Sequence, residues 1–285
     1  MLPFSGNAQG FFRKSLRIWR SFDRRATNQE ESRAANRNVI FDLGMNKGED
    51  SAFYLRKGFN VIAVEANPVI SRKNSESFAL YAERGQLTIL NVGIWSEEKE
   101  LPFYANLDND HWSSFDPSYG CRDGTRFETT HVPCVRVETL FERFGTPHYM
   151  KIDVEGADRL ILSDMRTLAA RPAFVSVEEY GVQSIDDLHA LGYDRFQIVP
   201  QSARLKAQYT PPTPAREGVY VPASFNGNDS GLFGHELPLD KWRSFADVRR
   251  DFLSGVRGED HVYKGPDEEW FDVHATTANV LSAGP

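Results

Sequence analysis

VIFDLGMNKGEDSAFYLRKGFNVIAVEAN, residues 39–67, decides the fold. Val39-Ile40-Phe41 is an apolar run of strand character that feeds a glycine-spaced turn, Asp42 to Gly48. Residues at helical spacing follow, and a second apolar run, Val61 to Val64, ends on Glu65. Strand, glycine turn, helix, strand and terminal acid make up the unit that cradles an adenosine-bearing ligand, with the acid about twenty residues past the glycines to accept the ribose hydroxyls.

Working outward, apolar runs of strand length continue to alternate with amphipathic stretches, which predicts βαβ units and a parallel sheet. The spacing places strands near 38–43, 60–65, 86–92, 148–154, 173–179, 194–199 and 217–222, and helices near 48–58, 68–84, 157–169 and 183–191. The second helix opens on Asn67-Pro68, a capping residue followed by proline at the first helical position. Between 93 and 147, Leu101 to Tyr104 and His131 to Val137 read as a strand pair flanking an inserted polar and aromatic loop, 105–130. The expected organisation is a basic amphipathic helix and linker over 1–37, a ligand-binding α/β domain over 38–223, and a C-terminal extension, 224–285, with a helix near 240–254.

Composition narrows the partners. The chain has 285 residues and a formal charge of −7, with no polybasic stripe through its body, so binding to nucleic acid has little electrostatic basis. Its two cysteines, Cys121 and Cys134, have neither zinc nor redox spacing, which favours a reducing compartment. With no long apolar run and no secretory signal pattern, a cytoplasmic location is expected. At the start, Phe11, Phe12, Leu16, Ile18, Trp19 and Phe22 interleave with Arg13, Lys14, Arg17, Arg20, Arg24 and Arg25. Residues 11–25 would form a helix that packs on the domain, or one that makes a peripheral contact with an anionic membrane or a protein.

The turn also discriminates between ligands. A dinucleotide turn wants glycine where this chain has Asn46, and Asp42 at the strand end would repel a pyrophosphate. The same residues suit a ligand without phosphate whose amino-acid end carries an ammonium, and S-adenosyl-L-methionine is such a ligand. An NAD-dependent dehydrogenase is the alternative enzyme reading, and a non-catalytic Rossmann-like module docking through its N-terminal helix is a third. After the third strand, Asn91-Val92-Gly93 would meet an adenine edge. After the fourth, Lys151, Asp153 and Glu155 share one face, and charges there are rationalised by a ligand at the strand's C-terminal end.

These stretches resemble the FkbM family of S-adenosylmethionine-dependent methyltransferases. The matching residues are Val39 to Gly48, Val64 to Pro68, Asn91 to Ser96, Val137 to Leu140 and, most specifically, Lys151 to Ala157. The resemblance, over about 38–200, implies the class I methyltransferase fold: a Rossmann-like three-layer α/β sandwich on a seven-stranded, mostly parallel sheet with the last strand antiparallel. It also implies methyl transfer to a hydroxyl oxygen of a small molecule, sugar or glycan. Asp42, Gly44, Asn46 and Gly48 would line the methionine end, Glu65 the ribose, and Asn91 with Val92 the adenine. Met45 departs from the small residue common in the family and would crowd the turn.

Transfer to an alcohol requires a base. Asp153, Glu155, Glu178, Glu179, His111 and His131 are the candidates; Asp153 stands first by its strand-end position, with an ion pair to Lys151 as its structural alternative. Glu155 reads as a charge favoured by the following helix N-terminus. Only one of Glu178 and Glu179 faces the cleft, because they alternate along a strand. Trp112, Phe115 and Tyr119 in the inserted loop would wall an acceptor that carries a ring. Metal-independent transfer is expected, although Asp153, Glu178 or Glu179, and Asp108 or Asp110 offer oxygen ligands for magnesium.

Overall fold

The computed structural model describes residues 36–265 and 269–285, so the amphipathic stretch expected at 11–25 lies outside the described residues. Strand β1 (Asn36–Leu43) pairs in parallel with β2 (Asn60–Val64) after helix α1 (Glu49–Arg56), and β2 pairs with β3 (Leu87–Leu90) after α2 (Pro68–Ser77). The Asn67 side chain caps α2 by accepting from the N–H groups of Val69 and Ile70, with Pro68 opening the helix. The helix expected over 68–84 breaks at Phe78.

The chain then leaves the sheet. Strands β4 (Gly93–Ile94), β5 (Glu100–Asn106) and β6 (Phe127–Val135) form a separate three-stranded sheet in the order β4-β6-β5, so the insertion is a strand pair carrying a tip at 107–126. After α3 (Val137–Phe144), β7 (Pro147–Ile152) returns to the other side of β1. This reversal of strand order beside β1 opens the crevice in which open α/β sheets bind ligands. Helix α4 (Asp158–Met165), β8 (Phe174–Glu178), α5 (Gln183–Ala190) and β9 (Arg195–Pro200) extend the alternation, followed by β10 (Arg243–Ser244), α6 (Phe245–Gly255) and β11 (Phe271–Thr276). The main sheet runs β10-β9-β11-β8-β7-β1-β2-β3.

It therefore has eight strands rather than seven, the two-residue edge segment β10 being the extra one. The long antiparallel strand is β11, inserted between β8 and β9, and residues 217–222 are not a strand. There Glu217 is turned inward to His148 and His235, and Gly218 takes a φ of +53° where a Cβ would lie 2.3 Å from the Lys57 carbonyl oxygen. That backbone follows the wall of the domain instead of joining a ladder.

The two sheet faces are covered differently. On one, Phe41, Leu43, Met150 and Val175 pack against Leu140, Ile161, Leu188 and Phe252 from four helices. On the other, α1 supplies Phe53 and Tyr54, while much of the cover is irregular chain carrying Tyr209, Val221, Phe225, Leu232 and Phe233. The Phe233 ring stacks on Tyr149 with centroids 4.9 Å apart. Buried charge fastens this cover. Lys57 and Glu236, both fully buried, pair at 2.6 Å, and Glu217 accepts from His148 Nε2 and His235 Nδ1 at 2.9 Å each.

Candidate active site

At the C-terminal end of β1 the backbone must turn sharply against the exit of β7. Gly44 has φ +90°, and a Cβ there would lie 1.8 Å from the carbonyl oxygen of Asp153, so only glycine fits. The N–H groups of Gly44 and Met45 donate to the Val64 carbonyl, tying the turn to β2. Met45 is 3% exposed and packs in the core beneath the turn with Phe53 and Tyr54. It does not crowd the ligand side. Asn46 follows at φ +45°, its N–H donating to Glu65 Oε2 at 2.8 Å while Asn67 N–H donates to Oε1 at 2.7 Å. Burial pushes the Glu65 carboxyl up to about 7 despite those two donors.

Beneath the turn the strand registers align Asp42, Lys151, Ser176, His274 and Gln197 in one transverse row across five strands. All five are buried. Asp42 is 0% exposed, accepts from Ser51 Oγ at 2.6 Å and lies 3.7 Å from Lys151 Nζ. Burial raises its carboxyl to about 6, against the pull of Lys151. Lys151 reaches Asp50 at 3.5 Å and Asp153 at 3.0 Å, and donates to the Gly44 carbonyl. Burial would lower the ammonium's pKa, but Asp153, Asp42 and Asp50 outweigh it and hold it well above its ordinary value.

Two cavities open above this row. The smaller, about 630 Å³, is lined by Gly44, Asn46, Glu65, Val92 and Phe115 among others. The larger, a cleft of about 2400 Å³, has Trp112, Tyr119, Glu178, Trp270 and Asp272 on its walls. His111, Asp153 and Glu155 line both.

Of the residues assigned to a cofactor in sequence, Gly44, Asn46, Glu65 and Val92 face the smaller cavity, whereas Asp42, Gly48 and Asn91 are outside its lining. Asp42 is consumed by the buried row. Gly48 lies under Phe78 as the N-cap of α1, and Asn91 spends its amide donors on the carbonyls of Glu65 and Ala66. Among the base candidates, Asp153 makes its ion pair with Lys151 yet keeps a side chain 40% exposed. Glu178 and Glu179 both line the cleft, against the expectation that only one would, because the strand ends at Glu178; Glu179 is held there by Arg257 and the Gly181 N–H. His131 is an exposed residue of β6 away from both cavities.

Asp108 is turned to Arg126 and Asp110 to Lys47. The acids that do converge are Asp153, Glu155 and Glu178, each offering an oxygen within 4.8 Å of the others, a group that could hold a metal ion. Glu155, at φ +49°, meets Arg122 at 3.2 Å, and Ser114 Oγ donates to its carbonyl. Burial, then the charge of Asp153, pushes the Glu155 carboxyl up to about 8 against Arg122; burial with Asp153 and Glu155 holds Glu178 well above the usual carboxylate range.

Sequence reasoning passed over Arg122 and Asp272. Arg122 sits over the Trp112 and Tyr119 rings at 4.4 and 5.7 Å, fixing the tip of the insertion against Glu155. No local pattern marks it. Asp272 had a signal, because Phe271-Asp-Val-His-Ala-Thr276 alternates with period two.

A family model, the methyltransferase FkbM domain, matches residues 42–195. The chain belongs to the FkbM methyltransferase family. Solved structures similar to it include the FkbM methyltransferase of Methylobacillus flagellatus KT, at 13% identity and TM-score 0.35, over 56% of this chain and 37% of that one. The precorrin-6y C5,15-methyltransferase of Geobacter metallireducens GS-15 aligns over 87% of this chain and 84% of its own at 11% identity and TM-score 0.36. The Burkholderia thailandensis 1,6-didemethyltoxoflavin-N1-methyltransferase, solved with S-adenosylhomocysteine, aligns over 70% and 86% at 13% identity and TM-score 0.31. No curated protein matches the chain. This member of the FkbM family thus spans little more than a third of the Methylobacillus chain. Among its described residues no helix is long and apolar enough to cross a membrane.

Proposed function

We propose that this FkbM-family chain is an S-adenosylmethionine-dependent O-methyltransferase acting on a hydroxyl of a small molecule, sugar or glycan. The observation that carries the reading is the junction: a narrow cavity roofed by the glycine turn and a wide aromatic cleft share His111, Asp153 and Glu155. A donor held in one and an acceptor in the other would meet beside carboxylates. The residues of the smaller cavity fit the donor. Asn46 Oδ1 is buried, has no hydrogen-bond partner and belongs to a residue of the cavity wall, which suits an ammonium. Gly44 with Asn46 would hold the methionine end, Glu65 the ribose hydroxyls, and Val92 the adenine face.

When bound, S-adenosylmethionine supplies an electrophilic methyl on a sulfonium that departs neutral. The protein's work is alignment and proton removal. Asp153 accepts the acceptor hydroxyl's proton on its exposed carboxylate, while Lys151, 3.0 Å away, compensates part of its charge. Phe115 and Val92 keep the donor side apolar, and Trp112 and Tyr119 wall the acceptor side.

Thermal unfolding with S-adenosylmethionine, S-adenosylhomocysteine and NAD, each alone, tests the reading. The first two are expected to stabilise the protein by about 2.7 kcal/mol at a hundred times their Kd, and NAD not at all. Flat curves with all three would sink it. Asp153→Asn should lower turnover at least a hundredfold and leave S-adenosylhomocysteine affinity within about twofold.

A further inference from the structure

Glu178 on β8 and Asp272 on β11 are directly opposite in the antiparallel register, and both face the wide cleft. Like charges placed opposite one another across a strand pair destabilise it. Asp272 is also 7% exposed, and no hydrogen bond or ion pair among the described residues reaches its carboxylate or that of Glu178. A carboxylate nine-tenths buried, unpartnered and open only to a cavity is costly unless a cation or proton arrives there.

The surroundings select the cation. Two arginines of the cleft wall are taken by carboxylates, Arg122 by Glu155 and Arg257 by Glu179, while the exposed Arg159 shares Asp187 with Arg166. Nine acids against three arginines among the lining residues disfavour a phosphate or carboxylate on the acceptor. Asp153 and Glu155 are likewise served by Lys151 and Arg122, so a divalent ion among the three converging acids would sit beside an ammonium and a guanidinium. Beside the two acids Glu178 and Asp272 there is one buried lysine, Lys206, whose charge pulls on Asp272 but which makes no ion pair with either among the described residues. Of the cleft's rings, Trp112 carries Arg122 and Tyr180 carries Arg159, while Trp270 is 41% exposed. Aromatic faces next to carboxylates suit an ammonium and the C–H face of a sugar.

We propose that Glu178 and Asp272 recognise a protonated primary amine on a hydroxylated acceptor, such as an amino sugar. The inference rests on reading the wide cleft as the acceptor site and adds the charge of the substrate. Burial pushes Asp272 up to about 7 against the pull of Lys206, with Asp153 adding to the rise, and a bound ammonium would favour the ionised pair.

The test is calorimetric titration of the full chain, saturated with S-adenosylhomocysteine, with glucosamine and N-acetylglucosamine near neutral pH. Glucosamine is expected to bind about tenfold or more tightly, as a charge-assisted hydrogen bond implies, with the preference shrinking as salt rises. The double variant Glu178→Gln/Asp272→Asn should lose the preference and keep its S-adenosylhomocysteine affinity. Glu178→Gln alone, at the less buried carboxylate, carries the test if the double variant does not fold. Cyclohexylamine separates the sources of the amine: weaker binding than glucosamine assigns it to a sugar, equal binding to an apolar scaffold, and both sustain ammonium recognition. Equal binding of the two sugars, binding of neither, or a preference that survives in the variants would overturn the proposal. So would magnesium chloride that stabilises the native chain but not the double variant and displaces glucosamine, which would make the acids a metal site. Failure of S-adenosylhomocysteine itself to bind would instead overturn the methyltransferase reading and this inference with it.

Discussion

The two cavities that meet at Asp153 are built in opposite ways. The smaller takes its defining wall from turns that directly follow strands: Gly44 and Asn46 after β1, Glu65 after β2, Val92 after β3 and Asp153 after β7. That wall follows from backbone that adjacent residues dictate, and the insertion adds His111, Ser113 and Phe115 to it. The wide cleft is assembled from the insertion tip, the exits of β7 and β8, the irregular segment near Asn228 to Ser230, and β11. These pieces come together only through contacts across the whole chain. Ser230 N–H donates to Asp50 at a separation of 180 residues, and Lys57 pairs with Glu236 at a separation of 179. A locally encoded pocket should therefore fail through single backbone positions, and an assembled one through the loss of distant fastenings.

Gly44 tests the first half of that contrast and carries the largest expected effect. Gly44→Ala puts a Cβ within 1.8 Å of the Asp153 carbonyl at a φ of +90°, so the turn and the β7 exit would have to part. Backbone strain and overpacking together predict a loss of about 4 to 6 kcal/mol in chemical denaturation, or no folded protein. A variant of native stability would mean that the turn is not fixed by this approach.

Lys57 tests the second half. Lys57→Met leaves Glu236 buried without its partner, an expected cost of about 3 to 5 kcal/mol. Pairing it with Glu236→Leu should recover much of that loss, because two apolar side chains replace a buried charge pair. If the cleft is assembled as described, partial unfolding in Lys57→Met should show first as faster hydrogen exchange over residues 217–237, while the turn at 44–48 stays protected. Simultaneous loss at both would erase the distinction.

The same contrast explains what the sequence disclosed. Strand, turn, helix and acid in residues 39–67 are neighbours in the chain, and period-two alternation was enough to put Lys151 and Asp153 on one face. Position alone could not say where each side chain is consumed. Asp42 has the right place for an ammonium but is spent on Ser51 and Lys151, and Met45, which looked obstructive, turns into the core. A last strand was expected at 217–222, whereas the antiparallel strand that forms, β11, carries Asp272 and His274 at alternate positions. Its polar side faces the buried row and the cleft, so the residues that serve the site are the polar ones of the strand. Arg122 was invisible for a related reason: its partner, Glu155, is 33 residues away on another element.

The smallest of the expected effects concerns Asp272 and has a sign of its own. Its ordinary value is 3.8, and burial raises it to about 7 in the folded protein. At acid pH, below 3.8, both states hold the proton and the group costs nothing. Between those values the unfolded chain releases a proton that the native state keeps, so stability falls as pH rises, and the deficit is complete above about 7. Asp272→Asn removes this slope. Denaturation at a series of pH values should find the variant equal to the native chain near pH 4 and more stable by on the order of 2 kcal/mol at pH 8. Glu217, among the fastenings, has the opposite sign, since its hydrogen bonds from His148 and His235 overcome burial and hold it down at about 2. Its contribution is present above its ordinary 4.5 and is lost as pH falls toward 2. An Asp272→Asn profile parallel to the native one would show that Lys206, whose charge pulls on this carboxylate, already compensates its burial.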